Sequence, residues 1–183
     1  MQQPYPVPPV APKKGMSVGL IILIVVLVTI IPIVGILAVL GVYGTRRYIA
    51  NAKTAEAKNS LAYIAKGAVT AFEESGKDRH LCSSASAPVP AARSDVSGKK
   101  YQSSRGDWMT DSAKNAGFAC LKFEMISPQY FQYEYQATAT GFVARAHGDL
   151  NGDGVFSTFE ITGQLVGDRL VISPSILETN PDE

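Results

Sequence analysis

Residues 17–42 read SVGLIILIVVLVTIIPIVGILAVLGV and contain no charged side chain. About 20 apolar residues suffice to cross a bilayer as a helix, and a cylinder apolar on every side does not fit the core of a small water-soluble domain. In lipid each backbone N–H and C=O must be satisfied within the segment, so the run is expected to be helical, with Pro32 a site for a kink. It is too long for the apolar core of a cleaved secretory signal, and GVYGTRR at its end offers no small-x-small cleavage site. The pattern therefore predicts a membrane anchor over residues 16–43. Beyond it the period becomes helical and amphipathic. Leu61, Ile64, Ala65, Ala68, Val69 and Phe72 form one apolar stripe, Lys58, Lys66 and Glu73 lie off it, and Ser75-Gly76 is a stop signal. Residues 44–76 are thus expected to continue the anchor as one helix of roughly 55 residues.

Residues 77–117 carry no sustained period and read as a long connection, with one short helix expected at residues 110–115. Over residues 118–173 the period falls to two. Ala119, Leu121, Phe123 and Met125 alternate with polar neighbours, as do Phe131, Tyr133 and Tyr135, and then Phe142, Ala144 and Ala146. Two further runs, residues 159–165 and 169–172, flank a turn at Val166-Gly167-Asp168. Short alternating runs between turn signals predict an antiparallel meander with one dry face, its aromatic residues filling the layer against the amphipathic helix. Trp108 is expected to be a core plug. The class is therefore α+β: a long N-terminal helix packed on a small antiparallel sheet. Residues 1–15 form a proline-rich leader expected to stay extended, and the acidic tail, residues 174–183, is expected to fray.

Charge and cysteines add to this. A net charge of +1 over 183 residues argues against a nucleic-acid partner. Cys82 and Cys120 are the only cysteines. In an exported domain an even count predicts a disulfide, whereas in the cytosol the same pair would be two buried thiols. A bridge would tie down the long connection and contribute on the order of 3–4 kcal/mol in the chain-entropy model. Lys13 and Lys14 precede the anchor, while Arg46, Arg47, Lys53 and Lys58 follow it. Counted alone, these charges place the C-terminal domain in the cytoplasm; the cysteine pair and a calcium-type loop point outside. Arg46 and Arg47 are expected near lipid phosphates.

That loop is the sharpest local motif. Asp149, Asn151, Asp153, Gly154 and Glu160 fit D-x-[DN]-x-[DN]-G-x5-E at every fixed position. Calcium takes six to eight hard oxygens. Asp149, Asn151 and Asp153 would converge on it, Val155 would offer its carbonyl, Ser157 would act directly or through water, and Glu160 would close the shell. The flanks read as strands, so any Ca2+ role would be structural, and the alternative is an Asn/Asp/Gly hairpin turn without metal. His80 and His147 have no nucleophile paired with them in sequence, and no phosphate loop, zinc helix or nucleophile elbow is present. Neither an enzyme nor a small-molecule substrate is indicated.

The layout and the run Gly35-Ile36-Leu37-Ala38 followed by Tyr48, Ala52, Lys53 and Glu56 resemble a type IV pilin or a type II secretion pseudopilin. The resemblance implies a bacterial inner-membrane subunit with its domain in the periplasm, associating with itself or with other pilin-like subunits through the N-terminal helix. It also implies leader cleavage between Gly15 and Met16. Members of the family carry Glu five residues past the cut. Here Leu20 holds that position, or Val26 if the Gly35–Ala38 match sets the register. Two readings follow: a pilin-like structural subunit, or an anchored periplasmic interaction module that does not polymerise.

Overall fold

The computed structural model describes residues 15–76 and 78–181, without the side chains of Arg46 and Arg47. The proline-rich leader up to Lys14 and the environment expected for those two arginines therefore lie outside the described residues. The chain divides into two units, Met1–Thr45 and Arg46–Glu183, and helix α1 (Val18–Glu74) contributes to both.

In the first unit Ser17 starts the helix, its Oγ accepting the Leu20 N–H at 3.4 Å. The helix runs without interruption through Pro32. Both threonine hydroxyls turn back on the backbone, Thr29 donating to the Val25 carbonyl and Thr45 to that of Gly41, which pairs them within the helix. By length and composition this helix can cross a membrane, and none of its most apolar window is buried within the protein.

The second unit is built on the remainder of α1. Ala57, Leu61, Ile64, Ala65, Ala68 and Phe72 are buried, and Val69 is half-buried. This stripe packs on a sheet of β1 (Gln132–Thr138), β2 (Gly141–Gly148), β3 (Ser157–Val166), β4 (Arg169–Ile172) and β5 (Leu177–Thr179). The order is β1-β2-β3-β4, with β5 beside β3, and every pairing is antiparallel. Register explains the inner face. Tyr133, Ala146 and Phe159 lie in one row and Tyr135, Ala144 and Ile161 in the next, so large side chains meet small ones and the layer fills without overlap. The outer face carries Gln132, His147 and Thr158, then Glu134, Arg145 and Glu160.

The connection is pinned along its length. Cys82 and Cys120 are paired, with Cα atoms 5.8 Å apart. The Val89 N–H donates to the Tyr133 carbonyl and the Tyr133 N–H to that of Val89, at 2.9 and 2.8 Å. This covers part of the β1 edge, which would otherwise be open to pairing with another chain. Trp108 is buried edge-on to Phe118 and Phe123, and its Nε1 donates to Ser103 Oγ at 2.9 Å.

Three local expectations differ from the structure. Residues 119–125 are not a strand: α3 (Gly117–Cys120) and a following turn occupy them, the Leu121 N–H donating to the Gly117 carbonyl and the Phe123 N–H to that of Phe118. Phe118, Leu121 and Phe123 are buried all the same, because a compact turn can bury near-alternate residues as a strand does. The helix expected at residues 110–115 is one 3-10 turn, Ser112–Lys114, while α2 (Arg105–Trp108) comes earlier, where Ser104 and Asp107 form a capping box. The tail is anchored, since β5 pairs with β3 and Glu178 binds Lys58 at 2.8 Å.

A close approach sets the helix position. A Cβ on Gly67 would lie 2.4 Å from the Leu121 carbonyl oxygen. Alanine gains roughly 1 kcal/mol of helix propensity over glycine, but overpacking against backbone costs about 1–3 kcal/mol. Gly67→Ala should therefore lower the melting temperature by a few degrees in thermal unfolding, and an unchanged or higher value would mean that the helix does not seat here.

Candidate functional site

β2 ends at Gly148 and β3 begins at Ser157, its register partner, so residues 149–156 are the hairpin connection that carries the calcium-type motif. Gly152 and Gly154 have φ of +81° and +91°, a region glycine enters without the Cβ penalty of other residues. These turns aim backbone N–H groups inward. Asp149 is fully buried. Its Oδ1 accepts from the N–H of Gly152 at 2.6 Å and of Asp153 at 3.2 Å. Its Oδ2 accepts from the Gly154 N–H at 3.0 Å and from the Ser97 hydroxyl. Asn151 Oδ1 accepts from the Asp153 N–H at 2.9 Å, and Asp153 Oδ1 from the Val155 N–H at 2.8 Å.

The motif residues are therefore brought together only in part. Asp149, Asn151 and Asp153 share the loop and bond one another's amides. Val155 is exposed at the loop's end. Ser157 is buried, and its hydroxyl donates to the Gly148 carbonyl at 2.9 Å. Glu160 stands apart: its Oε2 binds Arg145 Nε at 2.6 Å on the outer sheet face. A helix leaving the loop would curl the last carboxylate back, whereas a strand advances about 3.3 Å per residue. Glu160 lies on strand β3, where it pairs with Arg145; its expected part in closing a calcium shell would require it to leave that ion pair. Among the described residues no three His, Cys, Asp or Glu side chains stand together to hold a metal. Gly15 and Met16, the expected cleavage position, precede the first residue of α1, and Met16 is exposed.

Outside the motif, the sheet's outer face holds a polar network that sequence reasoning passed over. Arg145 lies between Glu134, with Nη1 to Oε1 at 2.8 Å, and Glu160. His147, buried, has Nδ1 3.0 Å from Thr158 Oγ1 and Nε2 3.2 Å from Arg93 Nη2. A guanidinium can only donate, so Nε2 accepts, and the Nδ1 proton of a neutral ring faces Thr158. The spacing of Glu134, Arg145 and Glu160 on adjoining strands was the available signal, but it needed the register to be read.

Compared with known proteins, the chain matches no family model, no curated protein and no solved structure.

Electrostatics gives the network and the loop an acid limit. Desolvation lowers the His147 pKa, and Arg93 and Arg145 lower it further against the opposing pull of Glu134 and Glu160. Burial alone would raise the Asp149 carboxyl, but the bonds from Ser97, Gly154, Gly152 and Asp153 outweigh it and hold it below its ordinary value. In both cases the unfolded chain takes up the proton first. Stability is then fully present at neutral pH, falls below about pH 6.5 through His147 and falls again below about pH 4 through Asp149. Urea unfolding followed from pH 8 to pH 3 should show both limbs, and His147→Gln should flatten the first.

The loop separates metal from hydrogen bonding cleanly. Asp149→Ala leaves backbone N–H groups and the Ser97 hydroxyl without their buried acceptor and should cost about 2–4 kcal/mol. The calcium expectation is read separately: a melting temperature that rises with calcium in the wild type and not in Asp153→Ala with Glu160→Ala supports a metal loop, and indifference to calcium and chelator supports the metal-free turn.

Proposed function

We propose that this chain is a pilin-like, membrane-anchored structural subunit of a type IV pilus or a secretion-type filament, its disulfide-tied domain on the periplasmic or extracellular side of a bacterial inner membrane. The observation that carries the reading is the layout: a helix apolar enough to span a membrane, whose later turns bury an apolar stripe against an antiparallel sheet. The Cys82–Cys120 pair supports an oxidising compartment. In this reading the N-terminal helices associate with one another in lipid by close packing, and the domain presents surface rather than chemistry.

A second reading, an anchored periplasmic interaction module that does not polymerise, is favoured by one feature. Leu20 and Val26 are apolar where the resemblance calls for an acid. The mass of the mature protein separates the two: loss of residues through Gly15 supports the subunit, and an intact N-terminus supports the module. Compartment is checked by maleimide on denatured, unreduced protein isolated from cells. Neither cysteine should react, and labelling of both would place the domain in the cytosol.

A further inference from the structure

The cations of the second unit fall into two groups. Lys58, Arg79, Arg105, Lys122 and Arg145 each have a carboxylate within 4.0 Å. Lys53, Lys99 and Lys100 have none among the described residues, nor do Lys66, Arg93, Lys114 and Arg169. Two of these converge from distant parts of the chain on one ring: Lys53 Nζ lies 4.7 Å and Lys100 Nζ 4.8 Å from the centre of Tyr130. A ring face attracts a cation, and neither ammonium group here has a carboxylate within 4.0 Å among the described residues, so an anion at the ring could pair with them. The Tyr130 hydroxyl makes no hydrogen bond among the described residues, so it is a further donor.

Glu56 feels the charge of Lys100 but is within ion-pair distance of neither lysine. Glu56 turns Oε1 inward, accepting from the Tyr130 N–H at 2.8 Å and the Tyr133 hydroxyl at 3.3 Å. Desolvation raises its pKa, although these bonds and the field of Lys100 oppose the shift. Lys53 follows Tyr43, the end of the apolar segment, by only ten residues of chain.

We propose that Lys53, Lys100 and Tyr130 form a binding site for the phosphate of an anionic lipid headgroup. The two ammonium groups supply charge and the phenol a directed donor, while Lys99 adds to the local field. This inference rests on the anchored reading above, because it needs the domain held at a bilayer. A lysine beside an anionic leaflet gains roughly fivefold in preference for it, an effect that salt weakens.

The test uses the full chain in nanodiscs of phosphatidylcholine alone or with phosphatidylglycerol, and reads lysine acylation by mass spectrometry with Lys114 as internal reference. Anionic discs should slow labelling of Lys53 and Lys100 several-fold while leaving Lys114 unchanged, and added salt should restore it. In anionic discs of Lys53→Gln, Lys100 should label nearly as fast as in neutral discs. Equal labelling in the two kinds of disc overturns the proposal. Protection in neutral discs by millimolar inorganic phosphate overturns the lipid assignment in favour of a soluble anion. Failure of the chain to enter discs at all overturns the anchored reading and this site with it, an outcome distinct from entry with equal labelling.

Discussion

Contact between one helical stripe and one sheet face is the constraint on which the rest of the domain depends. The stripe mixes small residues, Ala57, Ala65 and Ala68, with larger ones, Leu61, Ile64 and Phe72. Small residues let the helix approach closely enough for Tyr133, Tyr135 and Phe159 to be fully covered, and a fully buried large apolar side chain contributes about 1.5–3 kcal/mol. Covering tyrosines has a polar consequence, since each hydroxyl then needs a partner. Tyr135 donates to the Cys82 carbonyl at 3.2 Å and Tyr133 to Glu56. Burial pushes the Tyr135 phenol up to about 12 and that of Tyr133 well above its usual value, so both remain donors at physiological pH. The disulfide and the Tyr135 bond meet at Cys82, which ties the start of the connection to the layer it must not leave.

The connection in turn protects the sheet. Strand β1 would expose a row of unpaired amides and carbonyls at its outer side. Ala85 and Val89 donate to it from the connection, and the Ala137 N–H finds Ser84 Oγ at 2.9 Å. A segment that lacks any period of its own is therefore held by strand-like bonds at one end and by Trp108 at the other. That ring sits on Phe118 and Phe123 and anchors a chain of bonds through Ser103 to Gln129. Gln129 then donates to the carbonyls of Val89 and Phe131. Buried polar groups arranged this way fix one register, because any slip leaves several of them unpaired.

The sequence made the periodic parts legible and left the compact turns opaque. The 3.6-residue stripe ending at Phe72 and the alternation at Tyr133, Tyr135, Phe142, Ala144 and Ala146 reflect burial on one face, which is what periodicity encodes. At residues 119–125 the same alternation arises from a short helix and a tight turn whose apolar side chains point inward, and periodicity cannot separate the two. The capping box at Ser104 and Asp107 was a readable signal for α2. The tail's pairing was not, because β5 is exposed along its length and is held instead by its backbone partner and by Lys58. The ion pair of Glu160 was hidden for a third reason: a motif records residue types and spacing, while the neighbours of its last residue depend on the strand register that follows the loop.

The hairpin loop shows what local backbone geometry decides. Three carboxylate and amide side chains on alternate residues are the raw material of a calcium loop, yet the backbone presents the N–H groups of Gly152, Asp153 and Gly154 to Asp149. Inward-facing N–H groups make a concavity of positive partial charge that favours an anion. Here the anion is the protein's own carboxylate, buried and fully partnered. Those bonds and the Arg145–Glu160 ion pair are what a calcium ion would have to compete with at this loop. The negative charge of Asp149 thus orders the hairpin from within, and the acid sensitivity of the loop follows from the same bonds that hold it.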